Sequence, residues 1–154
     1  MAEKSKSQLY EVEGKLYWAK LFEHNRDKNE DFHGPGGAYT VDVLLEKDQL
    51  DIVTKSGSRL KPKMVDEGIV IRFKRKHIHP AGIDELGGPP RVADKDKNLW
   101  DEGTLIGNGS IGKVYFTVYE TKMGNGTRLE GVQVTDLVEY EVDDSEKQGV
   151  KLPF

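Results

Sequence analysis

Arg72, Lys74 and Lys76 stand two residues apart in one segment of the chain. In an extended strand such residues point the same way, about 7 Å from one another. Ile69, Ile71 and Phe73 then share the opposite side. A row of like charges needs something to offset its repulsion, and a phosphate backbone supplies evenly spaced anions. The competing reading is an edge strand that carries Lys and Arg against aggregation. Residues 113–119 alternate in the same manner. Val114, Phe116 and Val118 face one way, and Lys113, Tyr115, Thr117 and Tyr119 the other. Exposed tyrosines beside a lysine suit stacking on nucleobases, at ~1–3 kcal/mol per base. Residues 14–22 allow two registers. One buries Ala19 and Leu21 and leaves Trp18 and Lys20 outside; the other buries Trp18 with Leu16. The first is adopted here. Lys61 and Lys63, on either side of Pro62, extend the basic side to the edge of the resulting groove. The candidate nucleic-acid contacts are therefore Trp18, Lys20, Lys61, Lys63, Arg72, Lys74, Lys76, Lys113, Tyr115 and Tyr119.

Other chemistry finds less support. Residues 107–113 fit the spacing G-x-x-x-x-G-K of a phosphate-binding loop. The next residue is Val114 where Ser or Thr is needed, and a strand-like run follows where a helix must begin. The stretch is better read as a tight turn beside a strand. His77 and His79 share a strand face and could hold zinc, but no third ligand is evident. His24, His33, Asp84 and Glu85 sit in loops. No nucleophile–base or paired-carboxylate arrangement stands out, so the expectation is a protein that is not an enzyme and needs no metal or cofactor. A metal-dependent enzyme using His77 and His79 is kept as an alternative. Cysteine is absent, which removes disulfides and thiolate metal sites.

The elements that must position these residues are mostly strands. Residues 14–22, 38–45, 69–79, 113–119 and 127–140 are β-rich, and Gly14, Gly37, Gly68 and Gly112 stand at the start of the first four. Gly124-Asn125-Gly126 is a hairpin signal, and Gly131 marks a bulge. Asp48 can cap one short helix over 49–55, stopped by Gly57, with Leu50 and Val53 plugging a barrel opening. Trp100 reads as a loop anchor. Residues 24–37 and 80–103 read as loops; the second is long enough to be functional or disordered. Five strands with glycine joints predict a small closed or partly closed antiparallel barrel.

The chain has 154 residues and a net charge of −4. That suits one domain over 8–140, between a disordered 1–7 and a tail over 141–154. No apolar run reaches the ~20 residues of a membrane span, and the start has no secretory leader pattern. The net charge conceals a segregation. Between residues 55 and 79 eight Lys and Arg stand against two acids, whereas residues 139–154 carry five acids against two lysines. Glu141, Asp143, Asp144 and Glu146 lead to Leu152, Pro153 and Phe154. Charge of this kind with one apolar point predicts a disordered arm with an aromatic hook for a partner. An interaction protein that works through this tail alone, without DNA, is the other alternative.

Residues 105–110, Leu-Ile-Gly-Asn-Gly-Ser, then a strand, then 129–140, Leu-Glu-Gly-Val-Gln-Val-Thr-Asp-Leu-Val-Glu-Tyr, resemble bacteriophage single-stranded DNA-binding proteins. Residues 14–22 and 39–45 are similar too, so the likeness covers most of 14–140. It implies an OB-fold: a mainly β, five-stranded antiparallel barrel with one short helix and a disordered acidic C-terminal tail. It further implies sequence-tolerant coating of single strands in phage DNA replication and recombination, in the cytoplasm of the infected bacterial host. Asp143, Asp144, Glu146, Leu152, Pro153 and Phe154 would recruit replication proteins such as a polymerase, helicase or primase. Lys147 and Lys151 dilute that tail relative to the family pattern. Membrane contact is not expected, and homodimerisation is left open.

Overall fold

The alternating segments form strands, and their apolar sides make one core. The structure is a computed structural model that describes residues 8–101 and 103–139. Its strands are β1 Gln8–Lys20, β2 Ala38–Leu45, β3 Lys63–Val65, β4 Gly68–Lys76, β5 Arg91–Ala93, β6 Ser110–Thr121 and β7 Gly124–Asp136. The helices are α1 Glu30–His33 and α2 Lys47–Lys55. The strands form one sheet in the order β3-β4-β2-β1-β6-β7-β5. β1 is shared between two halves: residues 8–16 pair with β6, and residues 15–20 pair with β2.

The sheet curls on itself. Phe73 of β4 and Phe116 of β6 are both fully buried, with ring centroids 4.9 Å apart. Around them lie Val12, Leu16, Val41, Val43, Ile71, Val114 and Leu129. Arg75 of β4 reaches across to β7, donating to the Leu129 carbonyl and the Glu130 carboxylate, both at 3.2 Å. Its remaining donors go to the carbonyls of Glu85, Gly87 and Gly88. One buried guanidinium thus ties β4, β7 and the 85–88 loop together, its donors all directed at acceptors, as burial requires.

Several expectations are corrected. The sheet has seven strands, not five in a closed barrel: β4 and β7 approach through side chains, and no backbone ladder joins them. One pair, β5 with β7, is parallel. β3 and β5 have three residues each, too short for alternation to announce them. β5 docks because Gly131 has no side chain; a Cβ there would lie 2.9 Å from the Arg91 carbonyl oxygen. The expected bulge falls beside that glycine: Tyr115 opposes Gly131 and Phe116 opposes Leu129, so Glu130 is the extra residue. Among the described residues there are two α-helices where one was expected. α2 begins after Glu46, whose side chain makes no capping bond, rather than after Asp48, and its Val53 enters the core with Leu50 and Ile52 packed against it. The β6–β7 turn lies at residues 122–123, before the Asn-Gly pair, because Thr121 already pairs with Gly124. Trp100 is the expected anchor: its indole donates to the Thr104 carbonyl at 2.8 Å and its ring packs on the core. The 80–103 loop is organised by Arg75 and by Asp94, whose carboxylate accepts from the Asp96 and Asn98 amides. The expected disordered start and acidic tail, over 1–7 and 141–154, lie outside the described residues.

Candidate nucleic-acid interface

β1 runs regularly to Tyr17 and then breaks. Trp18 has φ 52, and the β1–β2 register shifts between Tyr17 and Lys20. A left-handed tryptophan costs roughly 1–3 kcal/mol and persists only where its surroundings impose it. Here the Asn108 side chain accepts from the Trp18 amide at 2.8 Å, and the Gly109 amide donates to the Leu16 carbonyl at 2.9 Å. The irregularity changes the phase of the strand. Leu16 and Leu21, five residues apart, are both fully buried, while Trp18 is 63 % exposed. The adopted register placed Trp18 and Lys20 correctly, and the rival register placed Leu16 correctly; the bulge reconciles them.

The turn that supports Trp18 is the one whose spacing mimics a phosphate-binding loop. Its amides are already used: Gly107 donates to Val138, Gly109 to Leu16 and Ser110 to Gly107. A strand, not a helix, follows. Its role is to brace β1.

From Trp18 the outer face continues across β2 to β4. Register places Tyr17, Asp42 and Arg72 in one row, Lys20, Thr40 and Lys74 in another, and Lys76 opposite Ala38. Ile71 and Phe73 point inward, so the alternation expected for β4 holds; Arg75 joins them on the buried side. Arg72 is held by Asp42 in a two-pronged pair at 2.7 and 3.2 Å, which fixes one cation of the row and offsets part of its repulsion. Lys20 and Lys76 have no ion-pair partner within 4 Å among the described residues. Burial first, and then Lys76 and Arg72, push the Lys74 ammonium below the ordinary lysine value. An anion arriving here would relieve that strain. Lys63 joins the same face, lining a hollow of about 150 Å³ with Tyr17, Trp18, Asp42 and Leu44. Lys61 is exposed just before β3.

The segment 24–37 reaches this face through α1. Asp27 pairs with Ala38 through both backbone bonds. The buried His33 holds Asp27 through Nε2 at 2.8 Å and turns Nδ1 toward the Lys74 ammonium, 3.5 Å away. The His33 hydrogen bond is the main reason the Asp27 carboxyl lies below its usual range. Asn29 caps the helix by accepting from the Phe32 amide, and Glu30 accepts from the Gly36 amide. Phe32, on this fastened loop, is 72 % exposed, with the Lys74 ammonium 5.3 Å from its ring centre.

The remaining candidates lie elsewhere. Lys113, Tyr115 and Tyr119 occupy the outer side of β6; on β1, Glu13 lies opposite Lys113 and Glu11 opposite Tyr115. Lys113 is 3.7 Å from the Glu11 carboxylate. The Tyr115 hydroxyl makes a long contact of 3.4 Å with Gln133. Tyr119 lies across Gly126, where a Cβ would fall 2.5 Å from the ring, and the Arg128 guanidinium stacks 4.7 Å from its centre. The structure therefore divides the ten candidates into a face on β1, β2, β3 and β4 and a separate face on β6. The two histidines lie beyond β4, which ends at Lys76, so they share no strand face: His77 Nδ1 meets the Tyr39 hydroxyl at 2.7 Å, and His79 Nδ1 accepts from the Ala81 amide.

No protein-family model and no curated protein sequence matches the chain. Solved structures do. The single-stranded DNA-binding protein gp2.5 of bacteriophage T7 superposes with a TM-score of 0.60 at 14 % identity, over 96 % of both chains. The single-stranded DNA-binding protein of bacteriophage Enc34, solved in complex with single-stranded DNA, gives 0.56 at 16 % identity, over 88 % of this chain and 89 % of that one. The chain has the fold of bacteriophage single-stranded DNA-binding proteins. On that fold, sequence reasoning missed Asp42, Phe32 and the Asp27–His33 support. Asp42 was visible as the one charge in an apolar run. Nothing local marked Phe32, since its exposure depends on how residues 24–37 pack on β2 and β4.

Proposed function

We propose that this chain is a sequence-tolerant single-stranded DNA-binding protein that coats and protects single strands during phage DNA replication and recombination. The observation that carries the reading is Trp18, held out of the core by a braced bulge on the face that also carries Lys20, Arg72, Lys74 and Lys76. Cations of this kind track a phosphate backbone, and an exposed indole stacks on any base. The solved relatives of the fold bind single-stranded DNA, which supports the same ligand here. We read β4-β2-β1-β6-β7 as the five strands of an OB-fold, with β3 and β5 added at the two ends. OB-folds bind oligonucleotides on the face of their second and third strands, which here are β2 and β4. On β6, Lys113 is set against Glu11 and the Tyr119 ring against Arg128, so the interface is assigned to β1, β2 and β4. It works by binding, with no catalytic step, in the cytoplasm of the infected host.

The acidic tail takes two roles in this reading. Glu141, Asp143, Asp144 and Glu146 compete with DNA for the cationic face, and Leu152, Pro153 and Phe154 recruit a replication protein. Deleting residues 141–154 then strengthens single-strand binding, most at low salt where screening is weakest. Phe154→Ala leaves DNA affinity unchanged and abolishes capture of the polymerase, helicase or primase. The reading as a whole is tested by titrating single-stranded DNA and a duplex of equal length at two salt concentrations. Single strands should bind far more tightly, with affinity falling as salt rises. Equal affinity for the duplex sinks it.

A further inference from the structure

A single exposed apolar side chain is ordinary on a protein surface. Phe32 differs in what holds it. Its helix is only four residues long, yet the Asn29 cap, the Glu30–Gly36 bond, the Asp27–Ala38 bridge and the buried His33 all fix it. Those fastenings hold Phe32 on the cationic face, with the His33 ring edge-on at 4.8 Å and the Lys74 ammonium over the ring. A nucleobase stacking on Phe32 would complete a sandwich with Lys74. Lys74 stands on β4, two strand spacings from β1, or about 10 Å. Trp18 emerges from β1 beside Lys20, the residue in register with Thr40 and Lys74. The two aromatics thus stand at opposite margins of one cationic strip.

We infer that Phe32 is a second base-stacking platform, paired with Trp18, so that a single strand crosses β1, β2 and β4 with one base on each ring and its phosphates on Lys20, Lys74 and Lys76. This inference rests on the single-strand reading above and adds to it the path of the strand and a residue that sets base contact. A platform needs a π-face, so leucine of similar bulk fails where tyrosine succeeds.

The test compares wild type, Phe32→Ala, Phe32→Leu and Phe32→Tyr on a thymidine oligonucleotide and on an abasic oligonucleotide of equal length. Phe32→Ala and Phe32→Leu should lose roughly 5- to 150-fold in affinity for the thymidine strand. Phe32→Tyr should bind within about twofold of wild type, stacking being preserved. On the abasic strand all four proteins should bind alike. Equal losses on both strands, or no loss on either, overturn the inference, since Phe32 would then only shape the loop or do nothing. Trp18→Ala distinguishes the two levels of the argument. If it weakens thymidine binding while Phe32→Ala does not, only the second platform falls. If wild type binds neither strand, the single-strand reading falls with it.

Discussion

The halves of the sheet on either side of β1 share a core and differ on the outside. On β6 and β7 the outward polar and aromatic groups satisfy one another: Lys113 with Glu11, Tyr119 with Gly126 and Arg128, Thr117 with Glu130. On β1, β2 and β4 Arg72 and Asp42 also pair, but the other outward groups are held at some cost. Trp18 sits in a strained conformation, Lys74 is pressed by burial and neighbouring cations, and Phe32 projects from a loop that many bonds hold in place. Similar residue types thus do opposite things. Composition does not separate a binding face from a self-satisfied one; the partners of each side chain do.

The largest effect expected is one that the two halves must share. Phe73 and Phe116 meet in the common core, so truncating either to alanine should cost ~3–5 kcal/mol and unfold both halves together in denaturant. A mutant that lost only the β4 half would break the picture of a single cooperative core. Next comes the contrast itself. Trp18→Ala should weaken single-strand binding by ~1–3 kcal/mol, whereas Tyr115→Ala and Tyr119→Ala should leave it almost unchanged. The reverse ranking, measured by anisotropy, would move the interface to β6.

The strand faces were legible in the sequence because they depend on a period of two. Ile71 and Phe73 went in, and Arg72, Lys74 and Lys76 faced out, as alternation requires. What was not legible depended on contacts between distant segments. The phase change at Trp18 needs Asn108, ninety residues away. Arg72 looked unpaired until register set Asp42 opposite. Tyr119 looked available until the bare backbone of Gly126 fitted β7 to it. Phe32 lay in a segment without periodicity. The candidate site was therefore half readable: its cations from pattern, its division into two faces only from topology.

Smaller effects sharpen the contrast further. Lys20→Ala and Lys76→Ala should each flatten the salt dependence of single-strand binding by ~0.7 in log–log slope, while Lys113→Ala, already paired with Glu11, should not. The least effect expected is a pH dependence. Burial and the neighbouring cations hold the Lys74 ammonium below the ordinary lysine value, and phosphate binding favours its charged form. Affinity should therefore fall as pH rises through that depressed value, because binding must then recover a proton. Lys74→Arg, charged throughout this range, should abolish the fall. An unaltered alkaline profile in Lys74→Arg would mean that Lys74 stays clear of the phosphates.

The most direct measurement uses the chain's own fluorescence. It has two tryptophans, Trp18 on the surface and Trp100 packed on the core. Trp100→Phe leaves Trp18 as the sole reporter on β1. A second protein, Trp18→Phe with Trp100→Phe and Tyr115→Trp, carries the sole reporter on β6. Single-stranded DNA added to the first should quench its emission saturably and reversibly with salt, while the β6 reporter changes little. Quenching confined to the β6 reporter, with Trp18 emission unchanged at saturation, would contradict the assignment of the interface to β1, β2 and β4.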